Sequence, residues 1–235
     1  MIPPLAAKIG PIVLGAAVAV LLVQQCRKPW SLPGRLFIAL MNRTHAAVTL
    51  WGLSEVQIPP GARVLDIGCG GGRAIALLAA RGHHVDGVDY SAASVASATS
   101  ANAAFIASGQ VTVRQASVSE LPFADSSFDL ATAVETHYYW PDPRHDFAEI
   151  LRVLKPGGTL VLIAETYRGQ ALGFLLLLPM LLLRARYLTL DEHRVLLREA
   201  GFAEISIAND ARKGWIRAVA KRAWPPEPMS SGPRE

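Results

Sequence analysis

Val64-Leu65-Asp66-Ile67-Gly68-Cys69-Gly70-Gly71-Gly72 is the stretch that decides the fold. An apolar run ends near an acidic residue, and glycines then recur at every second position. Further along, a second apolar run, Val85 to Val88, ends at Asp89. A strand that delivers a glycine loop, a helix opened by that loop, and a second strand closed by a carboxylate make a nucleotide-binding βαβ unit. Glycine spacing selects the nucleotide. A dinucleotide fingerprint, G-x-G-x-x-G, counted from Gly68 and Gly70 puts its third glycine at Arg73. Counted from Gly70 and Gly72, it falls at Ile75. Both registers fail, which disfavours a nicotinamide-dependent oxidoreductase. Glycines without the third member still let the backbone lie close against a ligand.

Hydrophobic runs place the other elements around this unit. Strands are expected at 63–67, 84–89, 111–115, 128–134 and 159–164, with two more at 205–208 and 215–221. Gly72 to Arg81 and Asp142 to Leu154 read as helices, the second with Phe147, Ile150, Leu151 and Leu154 on one face. Ser91 is placed to cap an alanine-rich helix running to about Ser108. Thr189-Leu190-Asp191-Glu192 is a capping box that opens a helix ended by Gly201. Met41 to Leu53 reads as a helix, and the basic stretch Arg27 to Leu40, with Pro29, Pro33 and Gly34, as a loop. Alternating strands and helices imply an α/β fold whose mostly parallel sheet is covered on both faces.

The pattern D-x-G-x-G-x-G from Asp66 to Gly72 resembles motif I of the class I S-adenosylmethionine-dependent methyltransferases. Asp89 follows at that family's distance. Leu121-Pro122-Phe123, Ser126-Ser127-Phe128-Asp129-Leu130 and Leu154-Lys155-Pro156-Gly157-Gly158-Thr159-Leu160 match its later blocks in order. The resemblance covers about residues 42–221. It implies a Rossmann-like, seven-stranded sheet of order 3-2-1-4-5-7-6 with strand seven antiparallel, S-adenosylmethionine as cofactor, and a small-molecule acceptor.

It also implies the cofactor residues. Asp66, Gly68, Cys69, Gly70 and Gly72 line the methionine and ribose side, and Asp89 takes the ribose hydroxyls. Tyr90 covers adenine, while Ser117 and Val118 border it. Ser117 stands where the family often carries an acidic residue, so it offers the adenine amino group a neutral acceptor. Glu135 ends strand four beside the methyl group. Met41-Asn42-Arg43-Thr44-His45 and Trp51-Gly52-Leu53 resemble a helix that covers the cofactor in some bacterial members, which adds Asn42 and His45 to the set. An ordinary polar helix face accounts for that pair equally well.

On the acceptor side, the sulfonium already activates the methyl group, so alignment and exclusion of water supply much of the rate. A base is needed only where the acceptor loses a proton. His137, with Tyr138 beside it, is the side chain suited to that task near neutral pH. A hydrogen-bonded wall role fits His137 as well. Tyr138, Tyr139 and Trp140 fit either an apolar acceptor wall or simple packing.

Composition bounds the rest. At 235 residues and net charge +4, with no aromatic-interleaved basic run, the chain lacks the marks of a nucleic-acid binder. Cys26 and Cys69 stand in unrelated contexts, and no Cys/His cluster has metal-ligand spacing, so neither a disulfide nor a metal is expected. Hydrophobic residues reach 51%, high for a purely soluble domain. Ile9 to Val23 carries no charge. A helix from Pro11 to Cys26 would be about 24 Å long, against roughly 30 Å of hydrocarbon.

Arg27, Lys28 and Arg35 follow this run, an arrangement that would keep the catalytic domain in the cytosol. A second apolar stretch, Ala171 to Leu183, is interrupted by Pro179 and flanked by Arg168, Arg184 and Arg186, which suits an interfacial element or a buried cap.

The expected organisation is an apolar helix and membrane anchor at 1–28, a cap and linker at 29–60, a methyltransferase domain at 61–222 with an apolar insertion at 168–188, and a disordered tail at 223–235. A membrane-associated enzyme with a lipophilic acceptor is the first expectation. The alternatives are a soluble cytoplasmic enzyme and a membrane-anchored cofactor-binding partner or sensor without catalysis. The oligomeric state is left open.

Overall fold

The computed structural model describes residue 25, residues 31–171 and residues 173–224. The apolar run 9–23 and the tail from 225 onward lie outside the described residues.

Seven strands form one sheet of order β3-β2-β1-β4-β5-β7-β6. They are β1 (Arg63–Ile67), β2 (His84–Asp89), β3 (Val111–Gln115), β4 (Phe128–Val134), β5 (Leu154–Ala164), β6 (Phe202–Asp210) and β7 (Trp215–Arg222). The first five pair in parallel. β7 lies antiparallel between β5 and β6. The helices are α1 (Ser31–Thr44), α2 (Ala46–Ser54), α3 (Arg73–Ala79), α4 (Ala92–Ala101), α5 (Ala103–Ala107), α6 (Pro143–Val153), α7 (Leu177–Leu182) and α8 (Leu190–Glu199).

Alternation along each strand sends neighbouring residues to opposite faces. On one face Leu65, Ile67, Leu160 and Leu162 pack against Phe147 and Ile150 of α6 and Leu197 of α8. On the other, Val64, Val85, Val161 and Ile163 pack against Val48 and Leu53 of α2 and Ile75 and Leu78 of α3. The helices crowd the sheet closely. A Cβ on Gly52 would overlap Ile163, and one on Gly87 would overlap Ile75.

Caps fix the helix starts. Asp142 accepts from the amides of Arg144 and His145, with Pro143 in the first turn of α6. Thr189 and Glu192 form the reciprocal capping box of α8 at 2.7 and 3.1 Å.

Two expectations are corrected. Residues 31–40 are helical, not a loop, and run into the expected helix as α1, because a proline in the first turn forfeits an amide that has no partner in the helix anyway. The long alanine-rich helix is broken at Asn102, whose side chain turns back to the carbonyls of Gly72 and Ala98. Among the described residues, no helix is long and apolar enough to cross a membrane.

Candidate active site

The sheet order reverses between β1 and β4, and a cavity of about 360 Å³ opens at the carboxyl ends of these strands. In open α/β sheets this switch point is where ligands bind. The loop after β1 forms its floor. Gly68, Gly70 and Gly72 have φ of 69°, 54° and 80°, values that glycine adopts without strain. Two amides of the loop, Gly68 and Cys69, donate to the carbonyl of Val88 at 2.8 and 3.0 Å, which ties the loop to β2.

Asp89 completes that tie. Its carboxylate accepts from the Gly70 amide at 2.9 Å and from the Ser91 amide at 2.8 Å. Burial raises its pKa, and these amide bonds oppose the rise. Asp66, at the end of β1, accepts from the Thr132 hydroxyl at 2.6 Å. Burial pushes its pKa up to about 6, helped by the charge of Asp89, while Thr132 pulls the other way. Two buried carboxylates thus face one cavity. Cys69 is buried beside them, and burial pushes its thiol well up, so it stays protonated.

Helix α1 closes the cavity from above. It packs on α4 and α2, and Asn42 lies against the loop so closely that a Cβ on Gly71 would overlap its amide. Ile38, Met41, Asn42 and His45 line that side. Tyr90, Ser117 and Val118 line another wall. The Ser117 hydroxyl accepts from the Ser119 amide at 3.2 Å. Glu135, Thr136, Tyr139, Trp140 and Pro141 line the end beyond β4.

Glu135 is held with φ of 57°, a conformation rare outside glycine. Its carboxylate accepts from the amide of Glu165. Burial and then the charge of Glu165 push its pKa up to about 8. His45 stands with Nε2 3.7 Å from Glu165, and burial lowers its pKa.

Of the residues singled out from sequence, Asn42, His45, Asp66, Gly68, Cys69, Gly70, Asp89, Tyr90, Ser117, Val118 and Glu135 line one cavity. Gly72 does not line it; it turns the loop into α3. His137 and Tyr138 are also absent from the lining and are buried behind it. The 3-10 turn His137–Tyr139 rotates His137 toward α8, where its Nε2 meets His193 Nε2 at 3.0 Å. Tyr138 points toward Tyr167 and Ile216 and donates to the Thr166 carbonyl at 3.3 Å. Tyr139 and Trp140 face the cavity in their place.

Sequence reasoning also passed over Arg73. It stands first in α3, lines the cavity, and its buried Nε has no hydrogen-bond partner. The failed dinucleotide register had already marked position 73 as unusual.

A family model described as a methyltransferase domain matches residues 65–162. An O-methyltransferase of Aspergillus nomiae is 38% identical over 111 residues, covering 47% of this chain and 48% of that protein. The 27-O-demethylrifamycin SV methyltransferase of Amycolatopsis mediterranei is 32% identical over 179 residues, covering 68% of this chain and 62% of that protein. The chain thus spans about half the length of the curated relatives it matches. The geranyl diphosphate C-methyltransferase from Streptomyces coelicolor shares the fold, with a TM-score of 0.65 at 19% identity over 83% of this chain and 85% of that one. Sheet order, glycine loop and the methyltransferase-domain match over residues 65–162 agree, and together they support a class I S-adenosylmethionine-dependent methyltransferase.

Proposed function

We propose that this chain transfers the methyl group of S-adenosylmethionine to a hydroxyl group of a small lipophilic acceptor. The observation that carries the reading is the two-ended cavity. One end holds glycine backbone and the buried carboxylates of Asp66 and Asp89; the other holds Tyr139, Trp140, Ile38 and Met41, with Glu135 and His45 among them. The cofactor bears ribose hydroxyls that donate, an adenine face, a carboxylate and a sulfonium. Asp89 accepts from the ribose, Tyr90 covers the base, and Ser117 and Val118 border it. Arg73 pairs with the carboxylate, which would satisfy its orphaned Nε. Asp66, ionised at neutral pH with its pKa about 6, favours the positive end of the methionine moiety.

Bound there, S-adenosylmethionine would supply a methyl group that its sulfonium activates for in-line attack by an acceptor oxygen, with the carbon–sulfur electron pair returning to sulfur and the hydroxyl proton passing to solvent. Tyr139, Trp140, Ile38 and Met41 exclude water and hold the acceptor in line. His137 has no direct part in this reading, because it lies behind the wall.

A lipid-surface source for the acceptor is favoured by the insertion after β5. Phe174, Leu178 and Leu181 are 67%, 63% and 71% exposed, and Leu175, Leu177 and Leu182 are exposed beside them. Arg168, Arg184 and Arg186 flank this patch. Such an element suits the interface of an anionic bilayer.

The test is a transfer assay with methyl-labelled cofactor against quinols, phenols, terpenoid alcohols and thiols. Labelled ether from a lipophilic hydroxyl is expected. Cofactor binding with no transfer to any acceptor would favour the non-catalytic partner or sensor instead.

A further inference from the structure

Three side chains able to ligate a metal, from separate parts of the chain, meet beside the end of the cavity beyond β4: His45 and Glu135 line the cavity, and Glu165 stands next to them. His45 sits in the break between α1 and α2, Glu135 follows β4, and Glu165 follows β5. One ligand-capable atom of each lies within 4.8 Å of those of the other two. The parallel pairing of β4 with β5 sets the two carboxylates side by side, and the amide of Glu165 fixes the Glu135 carboxylate.

Among the described residues, no lysine or arginine forms an ion pair with either carboxylate, and the only basic partner is His45. Two carboxyl groups and one imidazole thus share a partly buried wall with no fixed positive charge beside them. His45 and Glu165 keep 23% and 32% of their side-chain surface exposed, so an ion can enter.

We propose that His45, Glu135 and Glu165 hold a divalent cation at the acceptor end of the cavity, with coordination positions left open to an oxygen of the acceptor. One imidazole nitrogen and two carboxylates suit a first-row divalent ion, and three protein ligands leave room for substrate oxygen. The cation supplies what His137, shut behind the wall, does not: it lowers the pKa of a ligated hydroxyl. The hydroxyl proton passes to solvent, the oxygen–methyl bond forms, and the methyl–sulfur pair returns to sulfur. That role rests on the acceptor reading above; cation binding itself does not.

The test titrates the full chain with Mn2+ by the loss of its free-ion electron paramagnetic resonance signal, with S-adenosylhomocysteine binding measured in parallel. One Mn2+ per chain is expected. Glu135→Gln, Glu165→Gln and His45→Ala should each weaken uptake by about tenfold or more, and Glu165→Gln should still bind S-adenosylhomocysteine. Wild-type chain that binds S-adenosylhomocysteine but takes up no Mn2+ overturns the site, as does uptake that all three substitutions leave unchanged. Mn2+ uptake without S-adenosylhomocysteine binding upholds the cation site and sinks the cofactor reading.

Discussion

Neighbouring glycines of the loop are required for different reasons. Gly70 has φ of 54° and no atom nearer than 4.0 Å to a Cβ built on it, so Gly70→Ala meets only backbone strain, about 1–2 kcal/mol. Gly71 has no such backbone demand, yet its Cβ would overlap Asn42. Gly71→Ala should therefore lower Tm and cofactor affinity by displacing α1, and adding Asn42→Ala should restore the Tm. A Gly70→Ala loss that Asn42→Ala leaves unrepaired completes the contrast, read by thermal denaturation of the four variants.

The histidine pair titrates in a determined direction. His193 Nδ1 lies 2.7 Å from the Thr189 carbonyl and must donate to it. Its Nε2 is then an acceptor, and His137 Nε2–H donates, which leaves His137 Nδ1 as the unpartnered atom. Burial lowers both pKa values below 6.5. The unfolded chain thus binds protons first as pH falls below about 6.5, and stability is lost on the acid side. Asp66 and Glu135, both raised, work in the opposite direction. A His137→Phe/His193→Leu double variant should accordingly lose less Tm than wild type between pH 7 and pH 5. The places of Asp66, Gly68, Gly70 and Asp89 at one cavity were legible because they follow from local spacing. His137 was misplaced because a three-residue turn chooses which side chain faces the cavity. The meeting of His45, Glu135 and Glu165 was illegible, since only the sheet brings those segments together.

At the scale of elements, the helix starts were legible because caps are local. Ser91 and Thr189 cap the helices expected of them, and Asp142, expected inside its helix, caps it. Thr189→Ala should cost about 1 kcal/mol, a Tm decrease of roughly 2–4 °C for a chain of this size. Far-UV circular dichroism on heating checks it. Strand ends were less legible where the ladder is irregular. Lys155-Pro156-Gly157-Gly158 reads as a turn, yet β5 begins at Leu154, paired with Phe128 before a register shift. Glu204, with φ of 47°, marks another shift, between Ala203 and Ser206, and breaks the alternation that would have revealed the start of β6. The helical stretch 31–40 was hidden by Pro33 and Gly34, whose breaking power depends on where in the helix they fall.

Over the whole molecule, the seven-strand order was legible from the resemblance, and the cavity lies where the order reverses. Around that frame stand a lid helix over the loop and an exposed apolar patch rimmed by arginine. Phe174→Ser/Leu178→Ser/Leu181→Ser should leave Tm nearly unchanged, because these side chains pack on little, and should weaken cosedimentation with phosphatidylglycerol vesicles relative to the unsubstituted chain. Retained cosedimentation would remove the patch from the lipid reading.

The proposed function stands on the cavity holding S-adenosylmethionine through Asp89. The most direct measurement is isothermal titration with S-adenosylhomocysteine of wild type, Asp89→Asn and Asp89→Ala. Micromolar binding by wild type is expected, with Asp89→Ala weaker by roughly tenfold to a hundredfold and Asp89→Asn between them. No binding by a folded wild-type chain, or equal affinity in all three, would contradict the claim.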